Sequence, residues 1–283
     1  MTKPTSQDGV GPLLREWRRR RKLSQQELAL RTEISARHLS FIETGRSQPS
    51  RALVHRLADS LEVPLRQRNT LLVAAGYSPL YQETPLDAPR LKVVREAVDR
   101  LLTAHAPYPA LAVDASENIV AMNRGAEVLL SEVAPALLVP PVNVMRVCLH
   151  PDGLARQVIN VDEWRSHLLG RLYRQSRYSG REELRELYEE VSAYGPRPVK
   201  KDCTELSDTI VASIRVRALG TELRLFSTVT TFGAATDITV SELSLETMHP
   251  ANERTAAAFR AAVSPQADRA DRKDTMSLLS RSA

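Results

Sequence analysis

The chain has 283 residues, 42% of them hydrophobic and 26% charged, so it is long enough for two domains and too apolar to be disordered. No apolar run approaches the roughly 20 residues that span a bilayer, and Met1-Thr2-Lys3-Pro4 lacks the apolar core of a signal peptide. Two cysteines, Cys148 and Cys203, are too few for a disulfide framework or a zinc site, so reduced thiols in a cytoplasmic protein are expected. The net charge of +5 is unevenly spread: residues 1–80 hold 14 Lys/Arg against 7 Asp/Glu, the remainder 25 against 27. A basic segment ahead of a near-neutral one suits a polyanion-binding module with an attached second domain. The run Arg18-Arg19-Arg20-Arg21-Lys22 reads equally well as a solvated helix face.

Five helices are predicted in the N-terminal segment. The first has Pro12 in its first turn and Leu13, Leu14 and Trp17 on one side. Ser24-Gln25-Gln26-Glu27 is a capping box, opening a helix that runs to about Arg31. After Thr32-Glu33-Ile34, Ser35 caps a helix ending near Thr44, with Gly45 as its left-handed stop and Pro49 beyond. Ser50 caps a fourth helix with a Leu53, Leu57 and Leu61 stripe, and a fifth runs from Pro64 to Ala75 before Gly76. Leu28, Ala29, Ile34, Leu39 and Ile42 are apolar or small where the second and third helices should cross, and Ala29 lets them approach.

On these residues, positions 10–76 resemble the XRE-type (lambda-repressor-like, Cro/C1) helix-turn-helix class, with one departure: Glu33 stands where the family usually has glycine. A left-handed Glu there would cost on the order of 1 kcal/mol. The resemblance implies binding to double-stranded DNA, with the helix after Ser35 in the major groove. Ser35, Ala36, Arg37 and Phe41 are then the base-reading candidates, Arg37 foremost because its guanidinium can bridge O6 and N7 of guanine. Phe41 reads either as a thymine-methyl contact or as packing against a neighbouring helix. Gln25, Ser40, Arg46 and Arg51 are the phosphate candidates. A homodimer on a palindromic operator is expected.

Residues 77–90, with Pro79, Pro85 and Pro89, read as an extended connector. A helix follows from about Leu91 to His105, then two short strands at Ala110–Ala115 and Asn118–Asn123. Helical periodicity dominates from Trp164 to Ala193 and breaks at Gly195-Pro196-Arg197-Pro198. Strands are expected at Ile210–Ala218, through a Leu219-Gly220-Thr221 turn to Leu223–Thr231, and at Ile238–Glu246, with a flexible tail over 253–283. This is an α+β order compatible with a PAS-like antiparallel sheet wrapped by helices.

Residues 91–252 resemble the MmyB-like ligand-binding domain. The strings that carry this are His105-Ala-Pro-Tyr-Pro-Ala-Leu-Ala-Val-Asp114, Ala121-Met-Asn-Arg-Gly-Ala126, Leu149-His-Pro-Asp-Gly-Leu154, Asn160-Val-Asp-Glu-Trp164 and Thr247-Met-His-Pro-Ala-Asn252. The resemblance implies an internal apolar cavity and a fatty-acid-like occupant, with Tyr108, Asn123, His150 and Trp164 as candidate lining residues. No metal or catalytic group is expected: His105, Cys148 and His150 make a poor metal set, and Pro151-Asp152-Gly153 reads as a turn. A non-enzymatic, ligand-controlled regulator is the reading. The alternative is a constitutive repressor whose C-terminal domain only dimerises.

Overall fold

The computed structural model describes residues 9–195 and 213–263. They divide into two compact units, one built on the chain up to Glu83 with residues 177–180 and 235–238, the other on the rest.

The first unit contains α1 (Val10–Arg20), α2 (Gln25–Arg31), α3 (Ala36–Glu43), α4 (Arg51–Ser60) and α5 (Leu65–Ala74). Three serines start helices as expected: Ser24, Ser35 and Ser50 accept from the amides of Glu27, His38 and Leu53, and Glu27 completes the capping box. All five helices end in the same way. The residue after each C-cap is left-handed, and a six-residue hydrogen-bonded loop closes behind it, as in Ile34 N to Ala29 O at 3.0 Å and Arg46 N to Phe41 O at 2.8 Å. Gly45 and Gly76 occupy two of these positions, and Lys22, Glu33 and Glu62 the other three. Glu33 is therefore left-handed in the turn between α2 and α3, at φ 55°. Leu14, Trp17, Leu28, Ala29, Leu39, Ile42, Leu57, Leu71 and Leu72 form the core. Gly11 sits where α1 meets α3, and a Cβ there would lie 2.4 Å from the Ile42 carbonyl oxygen. Asn69 ties the connector to α5, accepting from the amides of Leu80 and Tyr81 and donating to the Tyr81 carbonyl.

The second unit is α+β. Apart from residues 177–179 and Ile238, counted with the first unit, it contains α6 (Lys92–His105), β1 (Ala110–Val113), β2 (Ile119–Met122), α7 (Arg124–Leu130), α8 (Val144–Leu149), α9 (Val161–Ser179), α10 (Glu182–Ser192), β3 (Ser213–Ala218), β4 (Thr221–Thr231), α11 (Ile238–Ser241), β5 (Ser244–Pro250) and α12 (Glu253–Ala262). The strands form one antiparallel sheet in the order β2-β1-β5-β4-β3. β1 is apolar throughout and buried throughout, because both faces of the sheet are covered there. Val98 and Leu102 of α6 cover one face, over Ala110, Ala112, Ala121 and Leu245. Helices α7–α10 and Phe259 of α12 pack on the other, over Leu111, Val113, Val216, Leu225 and Met248.

Two expectations are corrected. Residues 238–246 do not form one strand: Ile238–Ser241 is a helical turn, and the strand is Ser244–Pro250. The ladders decide this, since Ser244 through Pro250 pair with β4 while Ser244 through Thr247 pair with β1. Residues 253–262 are not a frayed tail but α12, capped by Asn252 and anchored by the fully buried Phe259. The expected strand start at 210–212, the break at 196–198 and the tail beyond 263 lie outside the described residues.

Candidate nucleic-acid interface and ligand cavity

The outward side of α3 carries Arg37, whose guanidinium lies over the Phe41 ring at 5.4 Å, and both residues remain accessible. Phe41 is half-buried, and the Arg37 guanidinium stacks on its ring. Ser35 is exposed at the N-cap and Ala36 is half-buried against the core. Arg46 and Arg51 are exposed on the loop after α3 and at the start of α4. Among the described residues none of Arg37, Arg46 and Arg51 meets a carboxylate. Ser40 is half-buried, and its carbonyl accepts from the Thr44 hydroxyl at 2.8 Å.

The arginine run of α1 behaves differently. Arg18 grips Glu43 with two hydrogen bonds, 2.6 and 2.8 Å, and donates a third to the Leu23 carbonyl. The Glu43 side chain is only 1% exposed. Burial opposes its ionisation, but the bonds from Arg18 and from the Gln25 amide (2.8 Å) prevail and hold its carboxyl below the ordinary range. Arg21 donates to the carbonyls of Leu61 and Glu62 at the end of α4. Much of the basic run thus holds the fold together. Gln25 is oriented by Glu43 through one amide proton, leaving its second for an outside acceptor. Sequence reasoning missed Glu43, although an acid one residue past the buried Ile42 is the signal that would have found it.

The C-terminal domain holds a partly enclosed cavity of about 20 Å³ between the sheet and α7–α8, room for one water molecule. Leu111, Leu129, Val144, Val147 and Met248 are among its apolar walls, and Glu246 is its single charged wall residue. Behind Glu246 lies an ion triad: Arg171 of α9 pairs with Glu246 and, at 3.0 Å, with Glu117. The triad holds two carboxylates against one cation, and the Arg171 Nε is buried without a partner. Burial raises the Glu117 carboxyl above its usual range despite Arg171, and Glu246 adds to the rise. Glu117 is also left-handed, at φ 64°, in the β1–β2 turn. A buried, left-handed acid that shares one cation with a second carboxylate is costly to keep. Cys148 lines the same cavity, and burial with Glu246 nearby pushes its thiol up to about 12.

None of the four candidate pocket residues lines this cavity. Asn123 caps α7 and ties it to β1 and α6: its Oδ1 accepts from Ala110 and Ala126, and its Nδ2 donates to Leu102 and Tyr108 carbonyls. The His150 Nδ1 accepts from the Asp152 amide in the turn, and its ring meets Tyr194 edge-on. Trp164 is a core residue stacked on His167. Tyr108 packs edge-on against Phe259, and its hydroxyl accepts from Arg260. All four belong to the conspicuous motifs, two of them, Asn123 and His150, because they shape a cap and a turn. The triad was hidden because its members lie 54 and 75 residues apart in sequence.

A helix-turn-helix unit with Arg37 on its third helix and Arg46 and Arg51 on the loop and helix that follow, joined to an α+β domain with an apolar-walled cavity, defines a DNA-binding regulator with a ligand-binding domain. Residues 10–71 match the helix-turn-helix domain family, and residues 94–262, more than half of the chain, match the MmyB-like transcription regulator ligand binding domain. The chain belongs to the MmyB-like transcription regulators. It is 32% identical over 114 residues to an uncharacterized HTH-type transcriptional regulator, RghRB, of Bacillus subtilis (strain 168), covering 40% of this chain and 73% of that one. The solved structure of an RNA-binding light-oxygen-voltage receptor aligns over 94% of this chain and 64% of its own, with 12% identity and a TM-score of 0.25, a likeness too low to assign a fold. Among the described residues no helix is long and apolar enough to cross a membrane.

Proposed function

We propose that the protein is a cytoplasmic, sequence-specific regulator that binds a palindromic double-stranded operator as a homodimer and responds to a small apolar ligand in its C-terminal domain. The observation that carries the DNA reading is the uncommitted set Arg37, Arg46 and Arg51, set against arginines that the fold uses internally. Arg37 reads a guanine edge and Phe41, braced beneath it, meets a thymine methyl, with Ser35 and Ala36 at the entry of α3. Gln25, Ser40, Arg46 and Arg51 fix the register through phosphates.

The cavity supports the ligand reading. At about 20 Å³ it admits a fatty-acid-like chain only if α7 and α8 yield, so occupancy changes the domain's packing. An acid head reaches Arg171 by taking the place of Glu246 or arrives protonated beside it. The test is operator selection followed by binding assays on native and delipidated protein. Arg37→Ala should cost about 1–3 kcal/mol on cognate DNA and less on random sequence, whereas Arg46→Ala should weaken both and flatten the salt slope by roughly one charge. Equal loss on both sequences for Arg37→Ala removes the base-reading role. Identical operator binding with and without every extractable lipid leaves a constitutive repressor whose C-terminal domain only dimerises.

A further inference from the structure

Helix α6 carries an apolar stripe that the core of its own domain does not use. Its buried positions are Val98 and Leu102, set down on the sheet. Roughly a third of the way round the helix, Val93, Ala97, Leu101 and Ala104 follow one another at helical spacing. Val93 is 73% exposed and Leu101 46%, Ala104 is exposed and Ala97 is half-buried. One exposed valine means little. Two large apolar side chains on one stripe, with small residues beside them, leave a surface on which another helix can lie close.

The stripe is complementary to itself. Laid antiparallel about a two-fold axis between positions 98 and 99, Val93 meets Ala104 of a second copy and Leu101 meets its Ala97. The symmetry repeats both contacts, so large stands over small at every position and the helix axes can approach to about 8–10 Å. The charges agree with the same register. Glu96 lies 3.7 Å from Lys92 and 3.7 Å from Arg100 along one border of the stripe, in surface pairs that are exchanged at little cost. In the antiparallel pair Glu96 faces Arg100 of the second copy and Arg100 faces its Glu96. A register shifted by one turn would set Glu96 against Glu96 and Leu101 against Val93, acid on acid and large on large.

We propose that α6 is the dimerisation helix of this protein, its Val93–Ala104 stripe paired antiparallel with the same stripe of a second copy. The inference rests on the homodimer reading above and gives that dimer an interface in the C-terminal domain, formed without DNA. A second copy fits this face better than an unrelated partner does, because the size pattern and the charge pattern are each matched by their own reversal.

Sedimentation equilibrium of the full-length protein, at low and at moderate salt, tests this. The native chain should be dimeric. Val93→Lys should raise the dimer dissociation constant about tenfold or more, because it sets an ammonium on the apolar seam. Arg100→Glu should weaken the dimer by a similar factor at low salt and by less at higher salt. Glu96→Arg combined with Arg100→Glu should restore the native constant to within about threefold, since the reversed charges are again complementary. Neither of those two side chains is buried, so the rescue is readable even where Val93→Lys folds poorly. Dimerisation indifferent to all these variants would overturn the proposal and leave a homodimer joined elsewhere. A single reversal that weakens the dimer without rescue by the double reversal would overturn the antiparallel register, and the proposal with it. A native chain that stays monomeric at its highest soluble concentration would remove the homodimer reading itself.

Discussion

Glu43→Gln tests the internal network of the DNA-binding unit. The native carboxylate accepts bonds of 2.6 and 2.8 Å from Arg18 and one of 2.8 Å from Gln25, in a site where its side chain is 1% exposed. Glutamine keeps the shape but removes the charge and turns an amide donor toward two other donors. Removing one partner of a buried pair costs about 3–5 kcal/mol, and the lower end applies because Arg18 keeps its bond to the Leu23 carbonyl and is 11% exposed. A loss of about 3 kcal/mol is a large share of a domain's roughly 5–15, and it moves a urea midpoint by roughly 2 M. Trp17 lies in this core and Trp164 in the other, so Trp17 fluorescence in a Trp164→Phe background reports the unit alone. The acid limb supplies the second readout. The folded carboxyl titrates below its unfolded value, so its stabilisation is present above the ordinary carboxylate range and is lost as pH falls through the folded pKa. Glu43→Gln should flatten that limb. A midpoint shift below about 0.5 M at neutral pH together with an unchanged acid limb would refute the reasoning.

Glu33→Gly should stabilise the unit by about 0.5–1 kcal/mol in the same assay, because Glu33 is left-handed and its 3.9 Å contact with Arg56 is exposed and worth little; a loss of stability would show that the turn tolerates Glu without strain. Gly11→Ala should cost about 1–3 kcal/mol, since the added Cβ meets backbone oxygens of Ile42 and Glu43 at 2.4 and 2.8 Å and forces α1 from α3; unchanged melting would contradict that close approach. In a Cys203→Ser variant the remaining Cys148 should resist a disulfide reagent at pH 8 and react only on unfolding, and prompt labelling of the native protein would show that the cavity is open.

The DNA-binding unit was readable from the sequence because its rules are local. Ser24, Ser35 and Ser50 announce their helices within four residues, and Gly45 and Gly76 announce their ends. In the second unit the same logic misled at Ile238–Glu246, where Ile238 and Val240 alternate like a strand but close a single helical turn. The strand proper is chosen by partners more than a hundred residues upstream in β1. Ala-rich Glu253–Ala262 carried a legible helix signal in the Asn252 cap, which its polar surroundings obscured. The cavity wall was illegible for a related reason. Glu246 faces inward only once the strand is known to begin at Ser244, and Arg171 and Glu117 reach it from other parts of the chain.

The shared ending of the five N-terminal helices has a kinetic corollary. Each corner is decided by hydrogen bonds spanning at most six residues, so little loop entropy must be lost before the helices meet. Chains dominated by such short-range closures reach their native form in microseconds to milliseconds, whereas synthesis adds only about 5–20 residues per second. The surface of α3 that carries Arg37 therefore takes shape while the second domain is still being made.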